Sequence, residues 1–162
     1  MKAEAAASAR IFAGLLVALL VVGGGPAIWT GHVLDAPYLV APLGASATLL
    51  ALSPSHAYAR PRALILGNLI AAAFGMLAAH VLSVPLFAAA AALAVSVVVL
   101  RALALTHPPA SGLAIASALS GAQALGASLA YLGWHVLAGS AILAIVMRVL
   151  AHPPEAGDGG PC

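Results

Sequence analysis

Two short motifs combine proline with small and hydroxyl-bearing residues, and their residue types could bind an anion. The first comprises Pro42, Gly44, Ala45 and Ser46, and the second comprises His107, Pro108, Pro109, Ala110, Ser111 and Gly112. Because proline is tolerated in the first turn of a helix, both motifs are predicted to start helices. A helix N-terminus has unpaired N–H groups and about half a positive charge, so it favours anions. Small residues would let a ligand approach the backbone, although tight packing between membrane helices also explains them.

Further polar residues are sparse within the apolar segments. Asn68 and His135 are candidates for a polar pathway, with hydrogen bonding between helices as the simpler explanation. His107 differs from them because it directly precedes Pro108 at a predicted helix start. There it could cap the helix, bind an anion when protonated, or titrate near neutral pH.

Several kinds of chemistry lack the residues they need. The sequence shows no nucleophile paired with a base and a carboxylate, no histidine spacing typical of metal ligands, and no phosphate-binding glycine loop. We therefore expect no enzymatic activity, no catalytic residues, no bound metal and no cofactor. Acidic residues are absent from the apolar segments, which argues against a carboxylate relay and against a carrier of divalent cations.

The composition indicates a membrane protein. Of 162 residues, 64% are apolar and 6% are charged, and the mean hydropathy is +1.12. A soluble domain usually has about a quarter charged residues. Most of the chain is therefore expected to be surrounded by membrane lipid. The six basic residues form no basic stripe, so no nucleic-acid partner is expected.

Six apolar stretches are predicted to be membrane segments. They lie at residues 11–31, 38–52, 63–83, 85–105, 110–125 and 127–150. The first, third, fourth and sixth reach the roughly 20 residues that a full span needs. The second and fifth are shorter and contain the two proline motifs. The first follows a basic N-terminus, as in a signal peptide, but residues 23–26 do not form a cleavage site, so we expect it to be retained.

The basic residues predict the orientation. With six crossings, all six basic residues fall on one side, as the positive-inside rule requires. Residues 1–10 and the polar tail 151–162 are then cytoplasmic, on either end of one membrane domain at 11–150. We expect a bacterial inner membrane. Arg60 and Arg62 would form a cationic vestibule that attracts anions, or would act simply as topology determinants.

The order of segments predicts an all-α fold of two inverted repeats, 11–83 and 85–150. Each half would have a full span, a short helix started by proline, and another full span. An offset of 67 residues superposes Pro42 on Pro109 and Asn68 on His135. Transporters built this way bind substrate near the membrane midplane, at the ends of short helices. Because such a bundle is thin, a homo-oligomer is expected.

Three motifs in order resemble the HPP family of integral membrane proteins. His107-Pro108-Pro109, after an apolar span and before a small-residue helix, looks like the signature that names the family. Residues 41–47 resemble its Pro-aromatic-Gly-Ala-Ser segment. Residues 59–62 and the glycines that follow them resemble its Gln-Pro-Arg turn and glycine-spaced helix. The resemblance covers roughly residues 10–150.

The resemblance implies a substrate, and departures from the family pattern leave its identity open. Plastid members in plants are associated with nitrite transport, which implies nitrite or a related anion such as nitrate. Here Ser111-Gly112-Leu113 replaces the usual Gly-Ala-Thr, Asn68 stands where many members have histidine, and Arg60 replaces glutamine. Two other functions remain open: a non-transporting membrane scaffold or assembly protein, and a carrier of another small solute.

Overall fold

The computed structural model is helical and describes residues 9–18, 41–121 and 125–151. Its helices are α1 (Ala9–Ala18), α2 (Ala41–Leu52), α3 (Pro61–Val81), α4 (Pro85–Ala102), α5 (Pro108–Leu119), α6 (Leu125–Tyr131) and α7 (Gly139–Ala151). A π-helical segment, Leu132–Ala138, joins α6 to α7, and a 3₁₀ turn at Ala57–Ala59 precedes α3. The prediction of an all-α protein is confirmed.

Three helices are long and apolar enough to cross a membrane. They are α3 (Pro61–Val81), α4 (Pro85–Ala102) and the continuous helix Gly126–Leu150, which α6, the π-helical segment and α7 form together. They correspond to the third, fourth and sixth predicted segments. The shorter helices α2 and α5 have 12 residues each. The part of the first predicted span beyond residue 18, the N-terminal residues 1–8 and the tail 152–162 lie outside the described residues.

Local sequence explains where the helices begin and end. Pro61, Pro85 and Pro108 each occupy the first turn of a helix, where the missing N–H has no intrahelical partner to lose. Two residues after the end of α4, Ala104 adopts a left-handed conformation with φ of 54°. The Leu105 N–H then donates to the Leu100 carbonyl oxygen at 2.9 Å. This Schellman-type turn reverses the chain and directs it toward His107.

Helices α3 and α5 run parallel and in close contact. Gly67 of α3 lies against the Leu105 carbonyl and His107, where an added Cβ would be 3.0 Å and 3.3 Å from the carbonyl oxygen and the histidine Cβ. Two turns later, Gly75 lies against Ala114 and Ser117. Because membrane helices gain little from burying apolar surface against each other, such close backbone contact is a main source of their association.

Helix α2 runs antiparallel to α5. Ser46 contacts His107 before α5, whereas Pro42 lies opposite Gly112 inside α5. The apolar face of α2 is buried against α1, α3 and α7, in a cluster that includes Leu15, Leu50 and Leu143. This packing fixes Ser46 at the crossing of α2 and α5.

The arginines of α3 and α7 lie at one end of the bundle. Arg60, immediately before α3, and Arg148, near the end of α7, line the same cavity. At the opposite end, His80 near the end of α3 and Pro85 at the start of α4 line a second cavity with Ala118 in the last turn of α5 and Gly121 just after it. Helix α5 therefore extends from the level of Gly67 to the far end of α3.

Replacing Gly75 with alanine should destabilise the protein. The new methyl group would overlap Ala114 and lie 2.6 Å from the Ser117 Cβ, so α3 and α5 would have to separate. Overpacking of this kind costs about 1–3 kcal/mol. Thermal unfolding in detergent should show a clearly lower transition for Gly75→Ala. The matched change Gly126→Ala, where the added methyl group meets nothing within 4 Å, should leave the transition unchanged or higher. Equal transitions for the two variants would contradict the close α3–α5 contact.

Candidate functional site

The two predicted motifs meet through a buried hydrogen bond. Ser46 Oγ lies 2.9 Å from His107 Nε2, although the residues are 61 positions apart. The other ring nitrogen, Nδ1, lies 2.8 Å from the Tyr58 carbonyl oxygen in the 3₁₀ turn before α3. Ser46 is 0% exposed and His107 is 1% exposed. The imidazole therefore joins α2, the start of α5 and the α2–α3 connection.

The partners of His107 define its protonation states. A carbonyl oxygen only accepts hydrogen bonds, so Nδ1 carries a proton and donates to Tyr58. In the neutral ring Nε2 is an acceptor, and the Ser46 hydroxyl donates to it. In the charged ring Nε2–H donates to Ser46 Oγ, whose hydroxyl then turns to the Pro42 carbonyl oxygen at 3.1 Å. Protonation of His107 thus changes the direction in which the Ser46 hydroxyl points.

Burial favours the neutral ring of His107. The residue lies between α4 and α5, outside the three long apolar helices. Loss of hydration lowers the pKa of His107 below its ordinary value, and the hydrogen bond to the Tyr58 carbonyl partly opposes this effect. The histidine occupies the N-cap position of α5, but its side chain makes no capping hydrogen bond. Its ring is engaged with Ser46 and Tyr58 instead, so the expectation that it could cap the helix is wrong.

The first turn of α5 offers few free N–H groups. Pro108 and Pro109 have none, and the Ala110 N–H donates to the His107 carbonyl oxygen at 2.9 Å. The hypothesis that backbone N–H groups of α5 hold an anion therefore has fewer donors than an ordinary helix N-terminus would provide. An anion held by these backbone N–H groups remains a prediction. The side chains of Ser46 and His107 provide the other polar groups at this position.

The remaining motif residues fall into three environments. Pro42, Ala45 and Gly112 line an open, mainly apolar cleft of about 580 Å³ between α2 and α5. Gly44 is half-buried, and a Cβ added there would meet nothing within 4 Å. Ala110 is buried near Gly67, Pro109 and Ser111 are half-buried, and Pro108 is exposed. The structure thus brings Ser46 and His107 together and leaves most of the other motif residues exposed or half-buried.

The two polar-pathway candidates are both buried within long helices. Asn68 is 1% exposed and donates from Nδ2 to Ser140 Oγ at 3.0 Å, whereas its Oδ1 lacks a partner among the described residues. His135 is 7% exposed and lies in the π-helical segment, stacked on Tyr131 with ring centroids 5.4 Å apart. Both of its ring nitrogens lack a hydrogen-bond partner in the described part of the chain. Unsatisfied polar groups and π-helical turns are both frequent at functional sites.

The two vestibule candidates have different surroundings. Arg60 lines a cavity of about 550 Å³ together with His56 and Arg148, whereas Arg62 is exposed and does not line it. The sequence did not predict that His56 and Arg148 line a cavity with Arg60. Nor did it predict the Tyr58 carbonyl as the partner of His107, or Ser140 as the partner of Asn68. The Tyr58 acceptor is a backbone group and Ser140 is one of many small residues, so the sequence does not distinguish either of them. The arginines, by contrast, were predicted to lie on the same side of the membrane.

Acid should destabilise the protein partly through His107. Its pKa is lower in the folded protein than the ordinary value of about 6.5, so the unfolded chain binds more protons between the two values. The stability due to the neutral ring is present above about pH 6.5 and is lost as the pH falls below it. Thermal unfolding at about pH 7.5 and about pH 5.5 should show a smaller loss for His107→Gln than for the unmodified protein.

The exposed His80, at the far end of α3 from the Ser46–His107 pair, provides the control for this comparison. His80→Gln should keep the full acid-dependent loss of the unmodified protein. The same loss in His107→Gln as in the unmodified protein would contradict a buried, neutral His107.

Comparison with known proteins identifies the family. The transmembrane region of the HPP family matches residues 2–155, which include both proline motifs, all the described helices and the Ser46–His107 pair. No curated protein and no solved structure shows significant similarity to the chain. A match over nearly the whole length, together with three long apolar helices, establishes that this chain belongs to the HPP family of integral membrane proteins.

Proposed function

We propose that this membrane protein is a transporter or channel for a small monovalent anion, with nitrite the first candidate and nitrate the next. The observation that carries the proposal is the buried hydrogen bond between Ser46 and His107, which joins the two proline motifs. Burial of an ionisable side chain costs free energy, and buried ionisable groups are therefore often found at functional sites. The name of the substrate comes from the family resemblance.

The proposed architecture has six membrane segments arranged as two inverted repeats. The antiparallel α2–α5 pair supports it, because the short helices of two inverted halves must run in opposite directions. The 12 residues of α5 cover about 18 Å, so non-helical backbone before the helix would complete the proposed crossing. The arginines at one end of the bundle are consistent with cytoplasmic termini and a bacterial inner membrane.

The anion would be held mainly by side chains. Neutral His107 has no free N–H, since Nδ1–H donates to Tyr58. An anion at Nε2 therefore requires proton uptake by the ring, or requires the Ser46 hydroxyl to turn from the ring to the anion. The open space at Gly44 would let the anion approach the backbone of α2. Binding at this pair would be linked to a proton or to a hydroxyl rotation.

Other parts of the chain would support passage of the anion. Arg60 and Arg62 would raise the local anion concentration at one mouth. Asn68 and His135, with unsatisfied buried atoms, would provide polar contacts farther along the bundle. Asp and Glu do not occur within residues 9–18, 41–121 or 125–151, so these helices provide no carboxylate to coordinate a cation. We propose a channel-like or passive mechanism without enzymatic activity, in a homo-oligomer.

A non-transporting scaffold is the second candidate function. The exposed residues Ala41, Ala45 and Gly112 line the outward-facing cleft between α2 and α5. Small residues on an outer helix face allow close association with another membrane helix. A scaffold would use this face for assembly and would conduct no anion. A carrier of another small solute would give flux that nitrite and nitrate do not inhibit.

Nitrite flux into proteoliposomes tests the leading proposal. The unmodified protein should show saturable flux that nitrate competes with. The double change Ser46→Ala and His107→Ala removes both side chains of the pair and should reduce the flux about tenfold at nitrite concentrations well below half-saturation, the effect of losing about 1.4 kcal/mol of binding free energy. Ser117→Ala provides a folding control, because Ser117 is a buried serine of α5 outside the two motifs. Folded protein without flux of any small anion would overturn the proposal and favour the scaffold.

Gly44→Ala extends the same experiment to the backbone of α2. The added methyl group meets no atom within 4 Å, so the fold should be unaffected or slightly stabilised. If the anion approaches this position, the concentration of nitrite needed for half-maximal flux should rise. An unchanged half-saturating concentration of nitrite would place the anion away from Gly44. The role of the Ser46–His107 pair would then be tested by the double change alone.

A further inference from the structure

A cationic cavity lies at the arginine end of the bundle, separate from the Ser46–His107 pair. Its volume is about 550 Å³, and two separate parts of the chain form it. The α2–α3 connection contributes His56 and Arg60, and α7 contributes Arg148. All three side chains are exposed, so their polar ends are available to a ligand.

The positive charge of this cavity is not neutralised by the helices around it. Neither Asp nor Glu occurs in the described ranges of the chain, so Arg60 and Arg148 have no carboxylate partner there. The cavity also lies at the start of α3, where Arg60 is the N-cap residue and no side chain caps the helix. The helix dipole therefore adds a partial positive charge to that of the two guanidinium groups.

The shape and walls of the cavity narrow the class of ligand. Two guanidinium groups suit an oxyanion such as phosphate, because each can donate two parallel N–H hydrogen bonds to a pair of its oxygens. Buried apolar residues, Ala59, Ala144 and Met147, form another part of the wall. An ester-linked phosphate with an apolar continuation would contact both parts. Basic pockets at the ends of membrane helices commonly bind lipid headgroups in this way.

We propose that this cavity binds a phosphate group, supplied by the headgroup of an anionic phospholipid or by a soluble phosphate. Arg60 and Arg148 clamp the phosphate oxygens from two sides, and His56 lies beside them. The apolar wall accommodates the start of the ester-linked chain when the ligand is a lipid. Because the clamp joins the α2–α3 connection to α7, bound phosphate stabilises the packing of these elements.

Lipid-dependent stability of the full chain in detergent tests the proposal. Phosphatidylglycerol should raise the unfolding temperature more than phosphatidylcholine with the same acyl chains. Arg60→Gln and Arg148→Gln should each weaken phosphatidylglycerol binding about tenfold, the effect of losing the charge-assisted hydrogen bonds of one guanidinium group to the phosphate. Arg101→Gln is the matched control, because Arg101 does not line the cavity, and it should retain the full effect.

A second set of measurements distinguishes the source of the phosphate. Saturable binding of phosphatidylglycerol that inorganic phosphate does not displace assigns a lipid headgroup. Saturable binding of inorganic phosphate that both cavity variants weaken assigns a soluble phosphate. If a glutamine variant does not fold, Arg148→Lys keeps the charge but loses the paired N–H groups, and should bind with intermediate affinity. Equal weakening by Arg101→Gln, or no preference for phosphatidylglycerol and no binding of phosphate, would overturn the proposal.

Discussion

The described part of the structure depends on one buried histidine that holds three elements together. His107 donates from Nδ1 to the Tyr58 carbonyl and shares a hydrogen bond with Ser46 through Nε2. Loss of either partner would leave a buried polar atom unsatisfied, which costs about 1–3 kcal/mol. Since the hydrophobic effect contributes little between helices in lipid, a hydrogen bond of this kind has a large share in fixing the crossing of α2 and α5. The same bonds leave the ring without a free donor in its neutral state.

Close packing of small residues surrounds this histidine and explains why it is so completely buried. Gly67 admits the Leu105 carbonyl and the Cβ of His107, and Gly75 admits the next turns of α5. The left-handed turn at Ala104 brings the chain to this position immediately after α4. Small residues therefore occur in two different surroundings: those on α3 allow α5 to pack closely, whereas Gly44 on α2 faces open space.

The sequence was sufficient to predict an all-α fold and its three long apolar helices. Proline in the first turn correctly indicated the start of α5. The pairing of Ser46 with His107 could not be predicted, because it depends on the crossing of α2 and α5. The Tyr58 acceptor is a backbone carbonyl oxygen, which every residue has, so the residue type does not indicate it. The π-helical segment around His135 depends on tertiary packing. The shortage of N–H donors at α5, by contrast, was already visible in Pro108 and Pro109.

Nitrogen NMR of the labelled histidine side chains, with and without nitrite, tests the central claim most directly. Without nitrite near neutral pH, His107 should show a protonated Nδ1 and an unprotonated, hydrogen-bonded Nε2. Saturating nitrite should shift the Nε2 signal of His107 toward a protonated or differently bonded nitrogen, while the signal of His80, at the opposite end of the bundle from Arg60 and Arg148, stays unchanged. Unchanged His107 signals at nitrite concentrations that saturate transport would contradict an anion site at the Ser46–His107 pair.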